Sequence, residues 1–296
     1  MRRAASMLAI LAGCAVVATG CARPVHPSAA SAHSRVAVTA HPSAGPAPAP
    51  SASGAPWPSA GPRTGTTPGF VGPTGASPTA PAGRDGRAPV TGRGPAGSIK
   101  DTGSDAVALT FDDGPDPKNT MDLLDLLKER GVKATFCVVG FRARDHPEVI
   151  RRIAAEGHTL CNHSWQHLEK LSDRDDSYLS WDLQSTNDAI HAAAPDAKIE
   201  YFRAPYGNFT PRLIEFAGRL HLKPIHWDVD DDCYRTATYG VGPAMTAHMT
   251  TIVQRDTRPG SIILSHDNLK PHTVTTYRTL LPWLQERFRL IALPVS

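Results

Sequence analysis

The stretch 110-TFDDGP-115 ends an apolar run, 106-AVALTF-111, with two adjacent carboxylates, and a Gly-Pro pair follows at once. Adjacent aspartates repel each other and add nothing to a core, so Asp112 and Asp113 ask for a chemical reason. A turn accounts for one Asp, Gly114 and Pro115, since all three residue types favour turns. The second Asp is left over.

Working outward, apolar runs bounded by turn residues alternate with amphipathic helical stretches. Strands are expected over 106–111, 133–139, 159–162, 200–203, 224–229, 260–265 and 289–295. Helices are expected near 119–130, 145–156, 175–194, 210–220, 243–255 and 274–288. In the last of these Tyr277, Leu280, Leu281, Leu284 and Phe288 recur at the helical period on one face. Alternating strands and helices predict an α/β fold with a parallel sheet and right-handed crossovers, either open or closed as a barrel. The polar residues that look out of place then fall at the C-terminal ends of strands. Asp112 and Asp113 follow the first, His163 and His167 the third, and Arg203 ends the fourth. The run 228-DVDDD-232 follows the fifth and His266 the sixth. In a β/α barrel those ends share the face on which active sites are built.

Within 163-HSWQH-167 two imidazoles stand four residues apart, a spacing that can bring both onto one ion. Alone the pair is weak, because two such histidines are more often solvated or satisfied in a core. A carboxylate from another strand end completes a three-ligand facial set with open positions, as in hydrolytic zinc sites. One Asp of the pair can then turn to the metal while its neighbour stays free as a base, the cation easing their repulsion.

Composition divides the chain. Residues 22–98 lack Leu, Ile and Met and hold 15 of the 27 prolines, with Asp85 the only acid. Such a segment cannot bury enough apolar surface to offset its ordering entropy and reads as a disordered Pro/Ala/Ser/Gly-rich linker. Residues 99–296 suit one sizeable domain. The formal charge of +3 comes from the first 98 residues, with eight arginines against one Asp. The remainder holds 23 Lys/Arg against 27 Asp/Glu, so no nucleic-acid partner is indicated. Residues 1–21 read as an export signal: Arg2 and Arg3 precede a short apolar run with small residues before Cys21. Both 11-LAGC-14 and 18-ATGC-21 resemble the bacterial lipobox, and Cys21 is taken as the lipidation candidate. Any membrane contact is expected only through that lipid. Of Cys137, Cys161 and Cys233, the first two lie on expected buried strands and read as small apolar filler, with a bridge between them as the alternative.

Taken together, TFDDGP, HSWQH, 203-RAPYG-207 and 264-LSHD-267 resemble the NodB-homology polysaccharide deacetylases, carbohydrate esterase family four. The stretches 134-ATFCVVG-140, 157-GHTLCNH-163 and 280-LLPWLQERFRLIAL-293 extend the resemblance to the C-terminus. It implies a distorted (β/α) barrel, here of about seven parallel strands. It implies that Asp113, His163 and His167 hold one divalent ion, zinc first and cobalt as the alternative. Asp112 would be the general base toward water, the backbone N–H of Tyr206 would meet the oxyanion, and His266 would protonate the leaving amine. Arg203 would pair with Asp112 and keep it oriented. The implied partner is an N-acetylated polysaccharide, peptidoglycan or chitin-type, attacked by an exported bacterial enzyme, lipid-anchored or secreted, working as a monomer. Acetylated xylan and a catalytically silent sugar-binding module are the rivals.

One motif departs. After Trp227 the family shows Asp, two variable residues, then Asp-Trp, whereas Asp230 is followed here by Asp231, Asp232, Cys233 and Tyr234. Either Asp232 takes the second acidic place through a one-residue shift, or Cys233 occupies it without the charge. Asp228, Asp230 and Asp232 stay open as tuning or substrate residues. Trp165, Trp181, Trp227 and Trp283 read as core aromatics, of which one or two can line a sugar groove.

Overall fold

A computed structural model describes residues Gly94–Ser296; the expected signal peptide, Cys21 and residues 22–93 of the expected linker lie outside it. The last residues of that linker, 94–98, form a turn closed by Gly94 N–H on the Ser98 carbonyl, with Ser98 buried. In chain order the elements are β1 (Val107–Asp112), α1 (Asn119–Glu129), β2 (Thr135–Val138), α2 (Gly140–Asp145), α3 (Pro147–Ala155) and β3 (Thr159–Asn162). They continue with α4 (Asp176–Ala193), β4 (Tyr201–Phe202), α5 (Pro211–Arg219), β5 (Lys223–Pro224) and β6 (Val229–Asp230). The remainder are α6 (Thr236–Tyr239), α7 (Pro243–Asp256), β7 (Ile262–His266), α8 (Pro271–Gln285) and β8 (Leu290–Ile291).

All strands pair in parallel in the order β5-β4-β3-β2-β1-β7-β6, and β8 sits beside the start of β1. The first strand is buried throughout, as an unbroken apolar run in a two-sided parallel sheet must be. Its register sets Asp112 level with Cys137 on β2 and with His266 on β7, so the polar residues collect at one end of the sheet.

The strand expected over 224–229 is broken into β5 and β6. Its first half bonds β4, with Ile225 N–H on the Phe202 carbonyl, and its second half bonds β7, with Asp228 N–H on the Ile262 carbonyl. The bend at His226–Trp227 lets one segment join the two free edges of the sheet, which closes the ring only through this bent piece. The barrel is therefore distorted. The helix expected over 145–156 starts at Pro147, and a separate turn of helix, α2, precedes it. Proline has no N–H with which to continue α2, and the residue before it, His146, is driven out of the helical region to φ −127°.

Cys137 and Cys161 stand directly opposite each other on β2 and β3 and are joined in a disulfide, not left as apolar filler. Parallel register alone brings these side chains together, which sequence spacing could not reveal.

Candidate active site

Successive residues of a strand point to opposite faces, so two adjacent carboxylates on a continued β1 would never share a pocket. The chain breaks that rule at Asp113, whose φ of 73° lies in the left-handed region. Asp tolerates this conformation better than most residues, and the reversal turns its carboxylate into the same cavity as that of Asp112. Gly114 is needed next, since a Cβ there would sit 2.5 Å from Asp267 Oδ1. Ser164, His167 and Tyr206 also have positive φ, so backbone strain gathers around this cavity.

Asp113, His163 and His167 bring one donor atom each to within 4.8 Å of one another. His167 Nε2 lies 3.1 Å from both Asp113 Oδ1 and His163 Nε2. His163 Nδ1 is 2.8 Å from the Arg203 carbonyl, an acceptor only, so that nitrogen carries the proton and Nε2 presents a lone pair. Asp113 Oδ1 is buried with no hydrogen-bond donor satisfying it among the described residues. A cation at this point would satisfy all three atoms together, so the donor set fits a divalent metal of the zinc class. Burial, then the neighbouring His163, push His167 down to about 4, leaving it neutral and able to ligate. Burial also works to lower His163, but the Asp112 carboxylate and then Asp113 hold it above its usual value. For Asp113 burial is likewise overruled: the neighbouring His163, 3.5 Å away, and then the potential of His266 keep it well below the carboxylate range.

Arg203 is the largest fully buried side chain of the described domain. Its Nη1 donates to Asp112 Oδ1 at 2.7 Å and to Thr110 Oγ1 at 2.8 Å, and its Nη2 donates to the His226 carbonyl at 3.0 Å. Asp112, 2% exposed, is thus fixed at one oxygen, while Oδ2 faces His163 Nε2 at 3.6 Å. Tyr206 follows in a turn whose hydrogen bonds run from Gly207 to Ala204 and from Asn208 to Pro205, so its own N–H takes no part in them.

His266, at the end of β7, lies across the cavity, with the Tyr234 ring edge-on to it at 5.9 Å. Cys233 answers the question left by the motif: its Sγ is 3.1 Å from His266 Nδ1. Asp232 does not take that place. Its carboxylate meets Arg235, His248 and the Tyr234 hydroxyl. Asp228 turns away to Arg258 and Ser261, whereas Asp230 lines the cavity. Burial raises Asp230 above the usual carboxylate range.

The cavity holds about 460 Å³ and is walled by Asp112, Asp113, His163, His167, Tyr206 and His266, with Trp227, Tyr234 and Lys270 at its sides. Of the four tryptophans among the described residues it is Trp227 that lines it, stacked on His226 at 3.9 Å. Gly207 permits this approach, since a Cβ there would meet the indole at 2.7 Å. Sequence reasoning missed Lys270, which carries no motif, and Asp182, whose buried carboxylate accepts the Trp165 N–H at 2.9 Å and so anchors the loop between the two histidines. Asp182 had a signal, for it interrupts the buried stripe Leu179, Leu183, Thr186 and Ile190 of α4.

The polysaccharide deacetylase family model matches residues 99–225, the stretch that holds Asp112, Asp113, His163, His167, Arg203 and Tyr206. A chitooligosaccharide deacetylase of Sinorhizobium fredii is 36% identical over 208 residues, covering 65% of this chain and 92% of the relative. Among solved structures, a peptidoglycan N-acetylglucosamine deacetylase in complex with a naphthalenyl N-oxidanyl-benzamide is similar at TM-score 0.59 and 30% identity, covering 64% of this chain and 87% of that one. A family 4 carbohydrate esterase from Streptomyces lividans in complex with acetate aligns at TM-score 0.57 and 27% identity, over 65% of this chain and 94% of that one. With a close-packed parallel barrel, a carboxylate pair and two histidines at its strand ends, and this similarity over nearly the whole length of its relatives, the chain belongs to the polysaccharide deacetylase family.

Proposed function

We propose that the chain is an exported, metal-dependent hydrolase that removes acetyl groups from N-acetylglucosamine units of a polysaccharide, peptidoglycan or chitin-type. The observation that carries this reading is one cavity shared by a buried, arginine-held carboxylate, an Asp-His-His donor set and an opposing histidine. Asp113, His163 and His167 would hold the ion. When bound, a divalent cation would supply a Lewis acid for the acetyl carbonyl and for water. Asp112 accepts the proton of the attacking water, its second oxygen being free of Arg203. The Tyr206 N–H faces the oxyanion as the carbonyl carbon becomes tetrahedral. His266 gives a proton to the amide nitrogen as the C–N bond breaks, so that acetate and a free amine leave. Trp227 offers an apolar wall on which a sugar ring can stack. Export rests on the N-terminal signal, and the linker would let a tethered domain range over the cell wall.

The test is acetate release from chitooligosaccharide, peptidoglycan and acetylxylan by the full chain, metal-free and with zinc or cobalt. Release from the two N-acetylated glycans, dependent on added metal, is expected. Asp112→Asn should keep the metal and lose about 10²- to 10⁴-fold in kcat. An Asp112→Asn variant that matches the wild type, or release from acetylxylan alone, would overturn the proposal.

A further inference from the structure

Cys233 is the free cysteine of the described residues and is wholly buried. Three bonds fix it. Its N–H donates to Asp231 Oδ1 at 3.0 Å, its carbonyl accepts from His272 Nε2 at 2.8 Å, and its Sγ stands 3.1 Å from His266 Nδ1. Met245 and Met249 close the remaining side. This is a held side chain aimed at an imidazole, not a gap filled by a small residue.

Asp231 beneath it is fully buried, and its Oδ2 has no hydrogen-bond partner among the described residues. Burial first, then the charge and hydrogen bonding of Asp231, push the Cys233 thiol well above its ordinary value, so the sulfur keeps its hydrogen. His266 therefore faces a neutral sulfur where the family motif has a carboxylate.

We infer that Cys233 is the positioning residue of His266: its sulfur takes the Nδ1–H bond while its S–H turns to Asp231, linking a buried carboxyl to the imidazole through one thiol. With Nδ1–H engaged, the ring presents Nε2 to the cavity, where the leaving amine is protonated. The proton that leaves is the one on Nε2, and Nδ1–H stays on the ring. A thiol stabilises an imidazolium less than a carboxylate in contact with it. The other groups facing this ring are Asp230, Asp113, His167, Tyr234 and Lys270 around the cavity, with Asp231 and His272 on the buried side.

This inference rests on His266 acting as the acid, and the experiment separates the two. On the zinc-loaded protein the His266 ring is titrated by NMR, and kcat and KM are measured across pH, for wild type, Cys233→Asp, Cys233→Ser, Cys233→Ala and Asp231→Asn. Cys233→Asp should raise the pH at which the ring titrates, and the alkaline limb of kcat/KM with it, by about one unit. Cys233→Ala should lower kcat about tenfold with KM unchanged, and Cys233→Ser should restore most of it. Asp231→Asn should move the ring titration down. A ring that titrates identically in wild type and Cys233→Asp, an unchanged kcat in Cys233→Ala, or a silent Asp231→Asn overturns the inference. If the wild type releases no acetate from any glycan, the hydrolase reading fails instead, and the ring titration still decides the Cys233 contact.

Discussion

Replacing Arg203 by Met keeps most of its volume and removes its charge from beside Asp112. Both partners are buried, Arg203 fully and Asp112 at 2% exposure, so solvent cannot take over the role of the guanidinium. Breaking a buried pair by removing one partner costs about 3–5 kcal/mol, because the other charge is left uncompensated. Thr110 Oγ1 and the His226 carbonyl lose a donor in the same step. At about 2–4 °C per kcal/mol for a domain of this size, the melting temperature should fall by about 6–20 °C. Removing both charges, in Asp112→Asn with Arg203→Met, should recover part of that loss, since no unpaired ion remains. Thermal melts of the metal-free proteins measure the three differences, and zinc content is read in parallel. Metal binding should survive Arg203→Met, because the Arg203 carbonyl that holds His163 is untouched. An Arg203→Met protein within about 2 °C of wild type, or a double variant as unstable as the sum of the singles, would refute the reasoning.

His158 accepts the Ala134 N–H at 3.1 Å and stands edge-on to Phe136, and burial followed by Lys133 pushes it down to about 4. It is neutral when folded, so its contribution is complete above its ordinary value and is lost as pH falls from about 6.5 towards 4, on the order of 3 kcal/mol. His158→Gln should flatten that decline in denaturation midpoints between pH 7 and pH 4.5; an unchanged slope would exclude the assignment. The disulfide spans a sequence separation of 24, so reducing it, or Cys137→Ala with Cys161→Ala, should lower stability by about 3 kcal/mol. Equal unfolding midpoints with and without reductant would show that the bridge contributes nothing.

Much of the barrel was readable because each strand is a short apolar run and each helix a periodic one. What defeated the reading was connectivity in space. The segment 224–229 looks like one strand, and only its hydrogen bonds to β4 and to β7 reveal the bend that closes the ring. The helix boundary at Pro147 was printed in the sequence as a proline and could have been placed. The site was legible where chemistry repeats at strand ends: Asp112, Asp113, His163, His167, Tyr206 and His266 all wall one cavity, with Arg203 behind Asp112. Asp230 and Asp232 were not separable by pattern, because adjacent acids differ only in which way the backbone turns them, and φ of 60° at Asp232 sends it outward. Lys270 and Asp182 act through position alone.

Arg203 shows why the proposed base and the proposed ion site depend on each other. Its side chain fixes Asp112, and its carbonyl fixes the proton on His163, so the free lone pair of His163 and the free oxygen of Asp112 are set by one residue at the end of β4. Three residues further along the chain stands Tyr206, in a turn that leaves its N–H unused. One short segment, 203–206, therefore fixes the orientation of the proposed base, ligand and oxyanion donor against a rigid strand end. Preorganisation of this kind needs no movement when charge develops, which is where such a site gains over water. The corollary is that the motif residues cannot be exchanged one at a time: Lys at 203 could reach Asp112 but could not at once donate to Thr110 and His226 with a planar fork. The opposite wall is built differently, from Cys233 and His266 on separate segments, and it is there that the chain has room to depart from its family without disturbing the ion site.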